Sequence, residues 1–337
     1  MPSYVITGTG SYVPPTVLTN EFFTNIVDTT DEWIKTRTGI EERRIAEIGV
    51  ASSDLMVPAA QKALEMAKKT VEDLDLIVAS WSFPDQLVPG TSDLFAEKLG
   101  APKELLAVDF TAQCSGFCWA LGYVYDKMLA HPQYKTVLLT SGDVTTRFVD
   151  YLDRETCILF GDCAGAVVIE RIEEEGFGIL GYIEACDRQF INCLAIKAGG
   201  TVKPASQKTV EAREHFMHFG PDGGGPMLKA IVRRIPELRA AVCAEAGIDP
   251  SIINLIIPHQ LNQRIVDASK KQSKTEIYDR NIRRYGNCSG SSVPKALDDA
   301  YREDKIAKGD YIQLESYGAG MKYAGVAIRW WLPRYQG

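Results

Sequence analysis

The chain carries eight cysteines, at positions 114, 118, 157, 163, 186, 193, 243 and 288, yet no CxxC pair. They lie among apolar segments, so neither a zinc-ligand spacing nor the disulfide framework of a small secreted domain is indicated. A reducing cytosol is the expected setting, with no metal site. A lysine-rich tract is also missing. The 37 Lys and Arg against 44 Asp and Glu leave a net charge of −7, which argues against general nucleic-acid binding. Any anionic ligand is then left to a few placed arginines. No apolar run approaches the ~18 residues of a membrane span, and Met1-Pro2-Ser3-Tyr4-Val5-Ile6 lacks the basic region and apolar stretch of a signal peptide. The expectation is a cytoplasmic protein with no membrane partner. What is present, 45% hydrophobic and 24% charged residues in 337, suits a soluble globular chain long enough for two packed halves.

One stretch organises the rest, Gln113-Cys114-Ser115-Gly116-Phe117. After it, Phe117, Leu121, Val124 and Met128 recur at three- and four-residue intervals, which predicts a helix with one buried face. Before it, Leu105–Phe110 reads as a short buried strand. A strand feeding a helix through a small-residue turn presents one side chain at a site, and a helix N-terminus favours thiolate over thiol. Cys114 is therefore a candidate nucleophile, although most cysteines serve as small buried hydrophobes.

The chain opens with a strand at Tyr4–Thr7. Gly8-Thr9-Gly10 supplies two glycines of a dinucleotide fingerprint, but Val13 occupies the third position and Pro14-Pro15 block a helix, so residues 8–15 read as a loop and not as a cofactor cradle. Residues 28–44 hold an acidic helix start, then Trp33 and Arg37 four apart on one face, suited either to stacking a base beside a phosphate or to an ordinary surface contact. A helix at 53–69, a strand at 75–80 and a loop at 81–90 follow.

The second half repeats the first. Helix 227–246 and strand Asn254–His259 parallel helix 53–69 and strand 75–80. Asn287-Cys288-Ser289-Gly290 answers Gln113-Cys114-Ser115-Gly116, Asp310–Glu315 answers Lys135–Thr140, and Ala324–Ile328 answers Ala164–Val168. An internal duplication of two α/β units explains this, with residues 1–172 as one half, 173–337 as the other, and 186–226 as a surface excursion. Strand ends of both halves would meet at one cavity, bringing His259 and Asn287 to Cys114.

Gly8-Thr9-Gly10-Ser11-Tyr12, Asp31-Glu32-Trp33-Ile34 with Thr36-Arg37-Thr38-Gly39-Ile40, the Cys114 turn, Phe160-Gly161-Asp162, Pro258-His259-Gln260-Leu261-Asn262, Tyr285-Gly286-Asn287 and Gly318-Ala319-Gly320 closely resemble the β-ketoacyl-acyl-carrier-protein synthase III family. The resemblance runs in order from Tyr4 to Trp330. It implies a duplicated, layered αβαβα thiolase fold, a homodimer, and a Claisen condensation of an acyl-CoA starter with a malonyl thioester. Cys114 would hold the acyl group, and its own N–H with that of Gly320 would form the oxyanion hole. His259 and Asn287 would stabilise the enolate left by decarboxylation. Coenzyme A thioesters would be substrates, no cofactor being permanently bound.

By the same resemblance, Trp33, Arg37 and Arg154 would hold the nucleotide end of coenzyme A, and Asn262 the pantetheine arm. Lys229 and Arg264 would meet an acyl carrier protein, and Val88 would border the acyl pocket. Departures from the family pattern lie at Gly225, Val88, Gln113 and Met321-Lys322-Tyr323, and they suggest a starter other than acetyl. A Cys-His-Asn protease uses the same residue types but does not suit this duplicated, glycine-turn scaffold. Two other readings share the fold. One is an acyltransferase delivering to a hydroxyl or amine without condensation, and the other is a non-catalytic subunit that holds a carrier protein.

Overall fold

The computed structural model describes residues 2–336. Ten strands form its main sheet: β1 (Ser3–Tyr12), β2 (Leu76–Ser80), β3 (Ala107–Phe110), β4 (Thr136–Asp143), β5 (Cys163–Ile172), β6 (Gly178–Cys186), β7 (Ile253–Pro258), β8 (Glu276–Ile277), β9 (Tyr311–Gly318) and β10 (Lys322–Arg329). Their order across the sheet is β8-β7-β9-β10-β6-β1-β5-β4-β2-β3. Read outward from the β6/β1 seam, each half runs through the same sequence of antiparallel and parallel neighbours. The seam itself is parallel and pairs Tyr4 with Gly178.

Seven helices position the site: α1 (Asp31–Thr38), α2 (Ser52–Ala67), α3 (Thr91–Leu99), α4 (Gly116–Ala130), α5 (Gly225–Glu245), α6 (Gln263–Lys271) and α7 (Ser292–Arg302). α2 packs on β1, β5 and β4, while α5 packs on β6 and β10. α4 touches β2 and β4 of its own half and also β6, β9 and β10; α7 touches β1 and β5 as well as β7 and β9. Helices that contact both halves must lie between them, which makes the architecture a layered αβαβα sandwich. Phe117, Leu121, Val124 and Met128 of α4 are all fully buried in the shared core, as their spacing predicts. Each such side chain contributes about 1.5–3 kcal/mol by leaving water.

Two sequence expectations change. Residues 8–12 are strand rather than loop, because Gly8 and Gly10 serve a close approach and not a turn. A β-carbon on Gly8 would lie 2.1 Å from the Ala63 carbonyl oxygen, and one on Gly10 2.2 Å from that of Ala59. The alanine face of α2 therefore rests directly on the strand. Gly8→Ala is expected to cost about 1–3 kcal/mol through overpacking. An unchanged urea midpoint would contradict that packing. In addition, β3 is an edge strand and not a buried one: its neighbour Leu106 is 45% exposed. An apolar run by itself does not distinguish the two.

Candidate active site

α4 and α7 are each preceded by a 3-10 turn, Gln113–Ser115 and Ser289–Ser291, and each turn opens on a residue with φ of +51°. Gln113 thus corresponds to Ser289 and Cys114 to Gly290, two positions along from the pairing read in the sequence. The helix proper starts at Gly116, so Cys114 lies in the turn before it.

Its environment is not the one the dipole argument anticipates. Burial pushes the Cys114 thiol up to about 11, and the charge of Asp143 adds to that. The Ser289 hydroxyl, 3.4 Å from the sulfur, and the backbone N–H groups of Cys114 and Ala319 pull the other way without prevailing. Desolvation outweighs the partial charges of one turn, so the resting group is a thiol.

His259 follows β7 and is almost wholly buried; its backbone N–H donates to the Glu315 carbonyl at 2.7 Å. Neither ring nitrogen has a hydrogen-bond partner among the described residues. Burial lowers its pKa to about 3, which keeps the imidazole neutral with one N–H to donate. Asn287 accepts the Ser289 N–H on Oδ1 at 2.9 Å. This orients the amide so that Nδ2, without a partner among the described residues, is available to a ligand. Asn262 caps α6 by accepting the Arg264 N–H and donates to the Arg37 carbonyl at 3.3 Å.

Cys114, His259, Asn287 and Asn262 line one narrow cavity of about 70 Å³. A second cavity, about 630 Å³, lies beyond Gln113 and is walled by Phe83, Phe148, Leu194, Ile196 and Met217. Ala319 borders both cavities, whereas Gly320, at φ +72°, borders the second. Residues 186–226 do run over the surface, but they roof these cavities: their short strands Leu194–Ala195 and His218–Phe219 pair together, and Met217 donates its N–H to the Phe148 carbonyl at 2.7 Å.

The remaining sites read from the sequence separate into three places. Trp33 carries two guanidiniums against its ring, that of Arg37 5.7 Å and that of Arg154 4.9 Å from the ring centre. Lys229 on α5 and Arg264 on α6 are exposed, with no ion pair among the described residues. Val88 is 82% exposed, as is Leu87, and lines neither cavity within one chain, because residues 86–89 stand out from the surface. From the same loop, Ser82, Phe83 and Pro84 reach the second cavity instead.

Sequence reasoning missed a polar chain behind the sulfur. Ser289 Oγ lies 2.7 Å from Ser82 Oγ, which donates to Asp143 Oδ2 at 3.2 Å. Asp143 is fully buried and accepts the N–H groups of Ser82 (2.6 Å), Phe83 (3.3 Å) and Gly290 (3.1 Å). Burial raises its pKa to about 7 despite these donors. The only signal in the sequence is an acid closing an apolar strand, Ser141-Gly142-Asp143. Among the described residues no cluster of three or more His, Cys, Asp or Glu side chains could hold a metal ion, and no helix is long and apolar enough to cross a membrane.

A half-buried cysteine sharing one cavity with a neutral imidazole and a free carboxamide, between two halves of a layered αβαβα fold, defines an acyl-transferring enzyme of the thiolase type. Comparison with known proteins narrows the class. The 3-oxoacyl-(acyl-carrier-protein) synthase III pattern matches residues 108–187, and its C-terminal counterpart matches residues 243–330. The β-ketoacyl-(acyl-carrier-protein) synthase III of Caldanaerobacter subterraneus is 40% identical over 96% of this chain and 97% of its own. That of Clostridioides difficile is 39% identical over 97% of this chain and 98% of its own. The crystal structure of the Aquifex aeolicus synthase III is 36% identical, with a TM-score of 0.86 over 97% of this chain and 100% of that one. A priming β-ketosynthase of a polyketide pathway is also similar, at 29% identity and TM-score 0.86 over 98% of this chain and 97% of that one. The chain belongs to the β-ketoacyl-acyl-carrier-protein synthase III family of condensing acyltransferases.

Proposed function

We propose that the protein joins an acyl-CoA starter to a malonyl thioester by decarboxylative Claisen condensation, starting fatty-acid or related chain synthesis. The observation that carries this reading is the convergence of Cys114, His259 and Asn287 on one buried cavity. Cys114 attacks the starter thioester and holds the acyl group. The N–H groups of Cys114 and Gly320 serve the tetrahedral oxyanion, with Ala319 adjoining. Loss of carbon dioxide from the malonyl unit then leaves an enolate, whose oxygen takes hydrogen bonds from the neutral His259 and from Asn287 Nδ2. The enolate carbon attacks the acyl-cysteine, a carbon–carbon bond forms and the thiol is released. Transfer to a hydroxyl or amine would need no enolate donors, so the presence of both His259 and Asn287 favours condensation.

The second cavity is the acyl pocket in this reading. Its apolar walls and about 630 Å³ suit a starter longer than acetyl. Coenzyme A would place its adenine and phosphates at Trp33, Arg37 and Arg154, and Asn262 would guide the pantetheine arm. Exposed Lys229 and Arg264 would steer an acidic carrier protein toward the entrance. The open edge of β3, with Leu106, Leu87 and Val88 standing exposed around it, would be covered in a homodimer of this cytoplasmic enzyme, each protomer built of the duplicated halves 1–172 and 173–337.

The test supplies acetyl, straight medium-chain and branched acyl-CoAs with malonyl-acyl carrier protein or malonyl-CoA, and follows carbon dioxide and the 3-oxoacyl product. Longer or branched starters are expected to turn over at least as fast as acetyl. A strong preference for acetyl would overturn the pocket assignment, and acyl transfer without carbon dioxide would overturn condensation. In the same assay Trp33→Ala is expected to raise KM for CoA thioesters about fivefold, from the loss of roughly 1 kcal/mol of stacking on the adenine.

A further inference from the structure

Cys114 enters the reaction as a protonated thiol, and among the described residues no charged base touches its sulfur. Besides the backbone N–H groups of Cys114 and Ala319, what touches it is the Ser289 hydroxyl, the first link of a continuous path through Ser82 to Asp143 with steps of 3.4, 2.7 and 3.2 Å. We propose that Ser289 and Ser82 relay the Cys114 proton to Asp143, which stores it while the acyl-enzyme exists and returns it when the product leaves.

This inference deepens the acylation step of the condensation reading and rests on it. The proton and electron balance closes. As Sγ forms its bond to the starter carbonyl, the thiol proton passes to Ser289, the Ser289 proton to Ser82 and the Ser82 proton to Asp143. The coenzyme A sulfur leaves with the bonding pair and takes a proton from solvent. In condensation the bond between Sγ and the acyl carbon breaks as the carbon–carbon bond forms. Asp143 then returns its proton along the same hydroxyls to the departing thiolate. Each hydroxyl has one proton before and after, and only its direction reverses.

The surroundings suit a carboxyl that changes charge in place. Three backbone N–H groups hold the ionised form, while full burial makes the neutral form accessible near pH 7. No Lys, Arg or His is ion-paired with Asp143 among the described residues, so nothing pins it as an anion. Two thiols feel its charge. One is Cys114, and the other is Cys163, its cross-strand partner on β5, which burial and Cys288 hold protonated. His259 shares the Cys114 cavity but stays neutral throughout this range. Backbone geometry adds a constraint: Ser289 sits at φ +51°, a conformation that costs a non-glycine residue energy and that aims its hydroxyl between Cys114 and Ser82.

The experiment uses the whole protein and iodoacetamide, whose reaction with Cys114 needs no condensation, and measures the alkylation rate against pH alongside the burst of coenzyme A release. Ser289→Gly removes the hydroxyl while relieving the positive φ, so it folds without new strain. Asp143→Asn removes the acceptor, and Ser82→Ala and Ser82→Thr remove and retain the middle link. The wild-type rate is expected to rise with ionisation of Asp143 and level off above about pH 7. In Ser289→Gly, Ser82→Ala and Asp143→Asn the rate should be roughly 10²-fold lower at pH 8. It should then climb with unit slope towards the ionisation of the thiol itself, with Ser82→Thr restoring the plateau. A wild-type profile without a break near pH 7, or variants whose rates fall equally at every pH, would overturn the relay. Failure of the condensation reading is separate, since it appears as missing carbon dioxide with the alkylation profile intact.

Discussion

His259→Ala and Asn287→Ala are expected to accept an acyl group on Cys114 yet to release carbon dioxide from a malonyl thioester about 10²–10³-fold more slowly than the wild type. The split follows from where the two donors act. Cys114 keeps its backbone N–H groups in both variants and its Ser289 contact untouched in His259→Ala, while Asn287→Ala also frees the Ser289 N–H, so His259→Ala is the cleaner test of the split. Enolate formation loses a preorganised donor in a buried cavity, where one hydrogen bond to developing charge is worth about 3 kcal/mol. The double variant should be little worse than either single one, because both donors serve one oxygen. Because His259 is already neutral, the wild-type decarboxylation rate should show no loss from imidazole protonation between pH 5 and 8. Equal loss of acylation and decarboxylation in His259→Ala would assign the histidine to the thiol instead.

Arg239→Met is expected to destabilise the fold by about 3–5 kcal/mol. Arg239 meets Glu315 in a two-pronged pair, Nε to Oε1 at 2.6 Å and Nη2 to Oε2 at 3.1 Å, and Glu315 is fully buried. Removing the guanidinium strands a carboxylate directly behind the active site, whose His259 N–H is held by the Glu315 carbonyl. Burial raises the Glu315 pKa even with its partner present, and without the partner the raising is stronger. A carboxyl whose folded pKa exceeds its unfolded value contributes stability below the unfolded value and loses it as pH rises through the folded one. The deficit of Arg239→Met should therefore be larger at pH 8 than at pH 5, and Arg239→Met/Glu315→Leu should recover much of it. Urea denaturation at the two pH values reads this directly. A deficit independent of pH would mean that lost packing and not a stranded charge is responsible.

The elements fixed by local pattern were legible in the sequence. Four apolar residues at helical spacing placed α4, and the order of turns, strands and glycines disclosed the duplication that brings Cys114, His259 and Asn287 to one cavity. What escaped reading depends on partners distant in the chain. Gly8 and Gly10 look like turn glycines until the alanine face of α2 is seen against them. Leu105–Phe110 looks buried until β3 is found at the edge. The helix start favours a thiolate at Cys114, but desolvation reverses the sign. Val88 carried a pocket role that a single chain does not give it. The link from Ser82 to Ser289 spans 207 residues, and no spacing rule reaches that far.

The account turns on Cys114 as the one sulfur that carries the acyl group between the two cavities. Intact-mass measurement after incubation with a medium-chain acyl-CoA, followed by peptide mapping, tests it most directly. The account predicts one acyl group per chain, located on the Cys114 peptide, absent in Cys114→Ala and discharged when a malonyl thioester is added. An adduct on any other of the eight cysteines, or one that persists in Cys114→Ala, would contradict it.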